Sequence, residues 1–198
     1  MDRKKVLANT GAENLFNSLG DLYKELDDAF INQFDRSLPF TDSLLDRWDR
    51  AKKLGFGEGS SIYDSSFVFG KVKVGVNTWI GPFTIIDGSG NLSIGNNCTI
   101  SAGVHIYTHD NVGRTITGGK IPIMHDPVEI GDCTYIAPQV VIQKGVRIGK
   151  HCIIGANSFV NSSIPDFSVA VGSPAKITGR VVIENDHFSI EYFKKETL

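Results

Sequence analysis

The sequence predicts a mainly β fold: a parallel β-helix of hexapeptide repeats, with an N-terminal helical segment and one extruded loop. Three observations predict it. Aliphatic residues recur every six positions in the later part of the chain, glycines concentrate there, and charged residues concentrate before it. Of the 21 glycines, 19 lie at or after Gly55, whereas residues 1–54 carry 19 of the 42 charged side chains. The composition therefore changes at about residue 55.

The segment before this change is predicted to be helical. Its apolar residues recur at spacings of three and four, which is the pattern of an amphipathic helix. They are Leu15, Phe16, Leu19, Leu22, Tyr23, Leu26, Ala29 and Phe30. A second, shorter helix is predicted from about Thr41 to Lys53, with capping side chains in Thr41-Asp-Ser and an apolar face that includes Trp48. We interpret the apolar stripe as a packing surface for a core or for another subunit.

After the change, aliphatic residues recur with a period of six. The runs are Val68, Val74, Ile80 and Ile86; then, after a slip of two residues, Ile94, Ile100 and Ile106; then Ile130, Ile136, Ile142, Ile148, Ile154 and Val160. Small or β-branched side chains usually stand two positions earlier, and glycine often follows directly. A repeat of fixed period indicates a stacked architecture, in which each unit buries its apolar face against the next.

Side-chain alternation explains the period. In a short strand, positions two apart point to the same side, and the remaining residues of each hexad must turn a corner. Glycine, Asn and Asp tolerate the backbone angles of such corners. Three strands and three corners make a coil of 18 residues, and coils stack by parallel backbone pairing. The small side chains Cys98 and Cys152 then become buried fillers.

The period is interrupted once, between Ile106 and Ile130. The intervening residues carry no aliphatic register, and a long loop that leaves a regular solenoid is where function is expected. We therefore divide the chain into a helical segment at 1–54, a β-helix domain at 55–180 with its loop at about 107–128, and a tail at 181–198. Helices and tail are the expected covers for the open ends of the β-helix, which would otherwise expose unpaired backbone groups.

Charge and composition exclude several classes of protein. The formal net charge is −2, which gives no electrostatic footprint for nucleic acid. No apolar run approaches the roughly 20 residues of a membrane span, and the amino terminus lacks a long apolar segment of the signal-peptide kind, so we expect a cytoplasmic protein. Three cysteines without C-x-x-C spacing argue against a disulfide framework and against a thiolate zinc site.

The hexads, the loop with His109-Asp110 and the closing Gly172-Ser-Pro-Ala-Lys176 resemble the hexapeptide-repeat acyltransferases. Within that family the chain looks most like sugar O-acetyltransferases of the maltose/galactoside and polysaccharide-modifying kinds, over about residues 66 to 180. The resemblance implies a left-handed β-helix, a homotrimer with active sites between subunits, acetyl-CoA as donor, a saccharide acceptor and no metal. The hand follows from the resemblance, since parallel crossovers are otherwise right-handed in about 98% of cases.

Acetyl transfer from a thioester to a hydroxyl needs a base that removes the acceptor proton and donors that hold the oxyanion. Histidine suits the first task, because its unperturbed pKa of about 6.5 leaves it largely neutral at pH 7. In the family the base is the histidine at the start of the extruded loop, which matches Tyr107-Thr-His-Asp110 here. The resemblance thus implies His109 as general base; the other interpretation is an ordinary exposed loop histidine.

Three further residues are candidates for acceptor binding. Asp87 falls where related sugar acetyltransferases place an acceptor-binding carboxylate. Asp110 is expected to orient the imidazole, to bind the acceptor or to remain solvated. His125, at the end of the loop, is placed to approach the same cleft from the other side.

For the donor, the resemblance implies a CoA groove between coils of adjacent subunits. The matching positions are Ala137, Ala156, Asn161, Ser162, Lys176 and Arg180. The two alanines stand where a larger side chain would obstruct the pantetheine arm, although simple packing at a corner would also favour them. The two cations are suited to the CoA phosphates, although they are equally suited to an ordinary surface.

Three other functions stay open. The first is N-acetyl transfer to a nucleotide-linked amino sugar, which the same base would serve. The second is a zinc-dependent β-helix of the carbonic anhydrase kind, for which His105, His109 and His125 offer three imidazoles. The third is an assembly scaffold without activity. Stoichiometric zinc would favour the second function, and failure to bind acetyl-CoA would favour the third.

Overall fold

A computed structural model describes residues 6–7, 10–185 and 187–194. The chain divides into two compact units, Met1–Asp46 and Arg47–Leu198. The second unit begins earlier than the predicted domain boundary at residue 55, because the helix that follows Asp46 belongs with the β-helix. It contributes Ala51 to the same apolar core as the coils.

The first unit contains the predicted amphipathic helix, α1 (Glu13–Phe34), and a short second helix, α2 (Phe40–Leu44). Tyr23 connects the two within this unit. Its hydroxyl donates a hydrogen bond of 3.0 Å to the carbonyl oxygen of Leu38, and its ring meets Phe40 edge-on at 5.6 Å.

The single helix predicted from Thr41 to Lys53 is wrong, because the structure has two helices there. They are α2 and α3 (Arg47–Lys53), and they are separated at Leu45, whose backbone is extended with φ −106° and ψ 125°. The predicted capping side chains are not used either. The residue that caps α2 is Pro39, and it makes no capping bond through a side chain.

The described part of the second unit holds seventeen strands and one further helix. The strands of the coils are β1 (Ser61–Ile62), β2 (Phe67–Val74), β3 (Trp79–Ile80), β4 (Ile85–Ile94), β5 (Thr99–Ile100), β6 (His105–Ile106), β9 (Val128–Ile130), β10 (Tyr135–Ile136), β11 (Val141–Ile142), β12 (Arg147–Ile148), β13 (Ile153–Ile154), β14 (Phe159–Val160) and β15 (Ser168–Gly172). The loop contains β7 (His109–Asp110), α4 (Val112–Ile116) and β8 (Met124–His125), and the chain closes with β16 (Ala175–Glu184) and β17 (His187–Tyr192).

Parallel pairing stacks these strands into three faces, which confirms the predicted β-helix. We number the three faces and define each one by its inward aliphatic residues. The first face carries Ile62, Ile80, Ile100, Ile136, Ile154 and Ala170; the second carries Val68, Ile86, Ile106, Ile142 and Val160; the third carries Val74, Ile94, Ile130, Ile148 and Ile164. Reading across the faces gives six coils, of which the last is incomplete.

The inward residues form one apolar core that runs along the solenoid. Most of its isoleucines are fully buried, and Cys98 and Cys152 fill the space between them as the repeat predicted. Burial raises the pKa of both thiols, so both stay protonated and unreactive at neutral pH.

The carboxyl-terminal end of the solenoid is covered by chain that follows the repeats. Strand β15 pairs in parallel with β13, and then β16 and β17 continue the first face in antiparallel fashion. Strand β16 runs from Ala175 to Glu184, so the predicted boundary of the tail at residue 181 falls inside a strand.

The irregularities of the repeat coincide at one edge, between the second and third faces. In the first coil this edge advances six positions, from Val68 to Val74, whereas in the second coil it advances eight, from Ile86 to Ile94. The third coil releases its loop at the same edge, after Ile106. The loop returns as β8, which pairs antiparallel with β7, before β9 resumes the third face. We call this the loop edge.

Replacement of a core isoleucine tests this architecture. Ile136 is 0% exposed at the centre of the first face, so Ile136→Ala leaves a cavity and is expected to destabilise the fold by about 2–5 kcal/mol. Ile116→Ala is the control, because Ile116 is 81% exposed and its loss should change stability by less than about 0.5 kcal/mol. Urea unfolding followed by circular dichroism measures both; equal midpoints for the two variants would contradict the assigned core.

Candidate active site

The loop edge brings together a carboxylate and an imidazole from different coils. Asp87 directly follows the inward Ile86 in the widened second coil, and His109 opens the loop of the third coil. The Oδ2 atom of Asp87 lies 2.7 Å from Nδ1 of His109. These two residues are 22 positions apart in sequence, and the stacking of the coils makes them neighbours.

Asp87 is 2% exposed, yet its carboxylate is fully provided with donors. The backbone N–H of Ser89 donates to Oδ1 at 3.0 Å, and the backbone N–H of Thr108 donates to Oδ2 at 2.8 Å. The Thr108 hydroxyl donates to Oδ2 at 3.1 Å. Burial alone would raise the pKa of Asp87, but the bonds from Ser89, Thr108 and His109 outweigh it and hold that pKa well below its usual range.

An ionised Asp87 fixes the tautomer of His109. A carboxylate is an acceptor only, so Nδ1 of His109 carries the hydrogen and donates it to Oδ2. Nε2 is then the unprotonated nitrogen, and the His109 side chain is 39% exposed, so a substrate can reach it. The pair has the geometry in which a carboxylate orients an imidazole, the arrangement used in general-base catalysis.

The widened edge is what lets the second coil approach the base of the loop. Ser89, in this extra stretch, places its hydroxyl 3.0 Å from Nδ1 of His109. The N–H of Gly90 donates to the Thr108 hydroxyl at 2.7 Å, and a Cβ on Gly90 would lie 2.3 Å from the carbonyl oxygen of Thr108. Only glycine permits this approach, so Gly90 keeps Thr108 within reach of Asp87.

Ser89, Gly90 and Thr108 were not identified from the sequence. A signal for them existed, however: the two-residue slip after Ile86 marks a widened corner, and counting coils places that corner beside the loop. The two-residue slip and the loop therefore lie at the same edge in neighbouring coils and together form one feature of the fold.

His125 lies beside His109. It pairs with His109 across β7 and β8, and the two rings stand 5.9 Å apart at an angle of 35°. Tyr107 also meets the His109 ring edge-on, with the ring centroids 6.5 Å apart. His125 is exposed, so it is available to a bound acceptor.

Asp110 does not orient the imidazole, because Asp87 occupies that place. The Asp110 Oδ2 lies 3.5 Å from Nζ of Lys144, which also donates a hydrogen bond to Asp126. Hydrogen bonding to Asp126 raises the pKa of Lys144, which stays a cation. Lys144 comes from the fourth coil. It bridges Asp110, in the strand that begins the loop, and Asp126, which follows the strand that ends it.

The six donor candidates lie in three places. Ala137, which is buried, and Ala156, which is exposed, occupy the edge between the first and second faces in the fourth and fifth coils. Asn161 and Ser162 are exposed at the loop edge of the fifth coil. Lys176 and Arg180 lie on β16, where Arg180 forms an exposed ion pair of 2.6 Å with Glu191.

A metal-binding cluster and a membrane-spanning helix are both absent from the part of the chain that the structure describes. Across residues 6–7, 10–185 and 187–194, no three His, Cys, Asp or Glu side chains form a group that could hold a metal ion. Likewise, none of the described helices combines the length and apolar character needed to cross a bilayer.

Sequence comparison connects these repeats to known proteins. The family model described as bacterial transferase hexapeptide (six repeats) matches residues 127–162, which span the end of the loop and the fourth and fifth coils. The galactoside O-acetyltransferase of Escherichia coli K12 is 29% identical over 146 residues, which cover 63% of this chain and 71% of that protein.

Solved structures agree with the fold. A maltose O-acetyltransferase from Clostridium difficile 630 superposes with a TM-score of 0.51 and 26% identity over 82% of this chain and 86% of that one. The N-acyltransferase AntD from Bacillus cereus, solved with dTDP and 3-hydroxybutyryl-CoA, shares the fold with a TM-score of 0.56 and 22% identity over 67% of this chain and 89% of that one. The chain is therefore a hexapeptide-repeat protein, and it is similar in sequence and in fold to sugar O-acetyltransferases.

Proposed function

We propose that this protein transfers an acetyl group from acetyl-CoA to a hydroxyl of a saccharide. One observation carries the proposal: the hydrogen bond between the buried, ionised Asp87 and His109 at the loop edge of a hexapeptide β-helix. The galactoside and maltose O-acetyltransferases to which the chain is similar give the substrate class.

The chemistry assigned to His109 is proton transfer. Its Nε2 accepts the proton of the attacking hydroxyl while that oxygen bonds to the thioester carbonyl carbon, and Asp87 stabilises the imidazolium that results. When the carbon–sulfur bond breaks, the imidazolium returns the proton to the departing sulfur. The products are the acetyl ester and free CoA, and His109 regains its starting state.

The remaining assignments follow the same proposal. Residues 55–180 carry the activity, with the segments 1–54 and 181–198 outside it. Ala137, Ala156, Asn161 and Ser162 line the path of the pantetheine arm, and Lys176 and Arg180 meet the CoA phosphates. His125 lies next to the acceptor, and Asp87, whose oxygens are hydrogen-bonded within the protein, acts on the acceptor through His109. The protein acts in the cytoplasm as a homotrimer without a metal, and its product belongs to a cell-surface polysaccharide.

The same pair of residues would also deprotonate an amine, so an amino group of a nucleotide-linked sugar is the second candidate acceptor. AntD supports it through the shared fold. A panel of free sugars, nucleotide-linked amino sugars and lipid-linked oligosaccharides, each supplied with acetyl-CoA, separates the two by which member releases free CoA thiol.

The first test removes the base. In His109→Ala, acceptor-dependent release of CoA should fall by about 10²–10⁴-fold, the usual contribution of a positioned base. Binding of CoA and the size of the assembly should stay unchanged. His187→Ala is the matched control, because it removes an exposed imidazole from β17. Near-normal turnover in His109→Ala would refute the assignment of the base.

The second test removes the charge that orients the base. Asp87→Asn keeps the shape of the side chain but no longer stabilises an imidazolium, so kcat should fall by about 10²-fold or more with little change in the KM for acetyl-CoA. Ser89→Ala removes the hydroxyl that lies beside Nδ1 of His109 and should lower kcat much less. An unchanged kcat in Asp87→Asn would contradict the pairing.

The same variant has a pH signature in stability. Because the folded protein lowers the pKa of Asp87, its carboxylate stabilises the fold at pH values above the unfolded pKa of about 3.9. That contribution is lost as pH falls below this value. The difference in urea midpoint between wild type and Asp87→Asn should therefore be smaller at pH 3 than at pH 5.

A further inference from the structure

Two phenylalanines form an exposed aromatic pair on the second face. Phe67 and Phe69 lie two positions apart on β2, so both side chains point outward from the first coil. Their rings are nearly parallel, at 11°, with centroids 6.1 Å apart. Phe67 is 60% exposed and Phe69 is 50% exposed. We call these two side chains the phenyl pair.

Strand register places the phenyl pair beside Asp87, the carboxylate that is hydrogen-bonded to the candidate base. Phe69 pairs with Asp87 of the second coil, and Phe67 pairs with Ile85. Paired residues of parallel strands point to the same side and lie about 4.8 Å apart. Phe69 is therefore the neighbour of Asp87 on one side, and Tyr107 follows on the other side, in the third coil.

The backbone of the corner holds the phenyl pair close to this coil. Gly70, which follows Phe69, has φ +67°, and a Cβ there would lie 2.5 Å from the carbonyl carbon of Gly88. A Cβ on Gly88 would in turn lie 2.3 Å from the carbonyl oxygen of Lys71. The two coils therefore touch backbone to backbone directly beside Phe69 and Asp87.

Position along the loop edge indicates what the phenyl pair contacts. The proposed donor residues Asn161 and Ser162 lie on the carboxyl-terminal side of the loop, two coils beyond it. The phenyl pair lies on the amino-terminal side, two coils before it. Because the proposed donor residues at this edge lie on one side of the loop, the other side is left for the acceptor, and there Phe69 is the next outward residue after Asp87.

The chemistry of the pair fits a sugar ring. One face of a pyranose presents C–H groups, which pack on an aromatic face, while its hydroxyls stay at the rim in contact with water. We propose that Phe67 and Phe69 form a second acceptor subsite, which binds the sugar unit adjacent to the one that is acetylated, so that the enzyme prefers an oligosaccharide to a monosaccharide.

This inference rests on the proposed function, and acceptor length tests it. Release of CoA is measured with acetyl-CoA and a monosaccharide, a disaccharide and a trisaccharide from each sugar series of the panel. In wild type, kcat/KM should rise from monosaccharide to disaccharide. In Phe69→Ala and Phe67→Ala, kcat/KM should fall by about tenfold for the longer acceptors because KM rises. For the monosaccharide it should stay unchanged.

Matched variants identify the cause. Phe69→Tyr keeps the aromatic face and should retain the preference for longer acceptors, whereas Phe69→Leu keeps only the apolar character and should lose it. Phe188→Ala is the control, because it removes another exposed phenyl, from β17, and should leave kcat/KM unchanged for every acceptor.

The outcomes separate this inference from the function on which it rests. Acceptor-dependent release with the same length dependence in Phe69→Ala and wild type would overturn the subsite and leave the acetyltransferase intact. Dissociation of the assembly in Phe67→Ala or Phe69→Ala, seen by size-exclusion chromatography, would mean that a second copy covers the phenyl pair, and would also overturn it. Failure of every saccharide to release CoA would overturn both proposals together.

Discussion

Parallel pairing between successive coils sets the position of every functional group in this protein. Each coil must return its strands to the same register after three corners, because only then do inward aliphatics meet and backbone groups find partners. A change in chain length is tolerated at a corner and nowhere else. The loop edge collects these changes, with six residues in the first coil, eight in the second and the long loop in the third.

The candidate active site is a consequence of this arrangement. A buried carboxylate is costly unless its oxygens are hydrogen-bonded, and Asp87 meets that requirement through backbone N–H groups of two coils. The extra residues of the second coil provide one set of donors, and the start of the loop provides the other. The Nδ1–H group of His109 is a further donor to the same carboxylate, and this hydrogen bond orients the imidazole ring. Stability of the corner and orientation of the base depend on the same hydrogen bonds.

The loop edge also orders the proposed reaction in space. His109 lies at the third coil, and Lys144 bridges the two ends of the loop from the fourth coil. The exposed side chains of Phe67 and Phe69 lie on the first coil. Two of the proposed donor residues, Asn161 and Ser162, and the proposed acceptor residues therefore lie along one edge on opposite sides of His109.

Much of the fold followed from sequence, because a six-residue period has one simple structural solution: the inward positions, the buried cysteines and the interrupting loop are all local patterns. His109 followed from the resemblance of its loop to that of known acyltransferases. The helix break at Leu45 and the partner of the imidazole could not be found in this way. Asp110, adjacent to His109 in sequence, looked suited to orient it, but adjacent strand residues point to opposite sides. Only the stacking of coils decided that Asp87, 22 residues away, does so, since the distance between them depends on register between strands and not on separation along the chain.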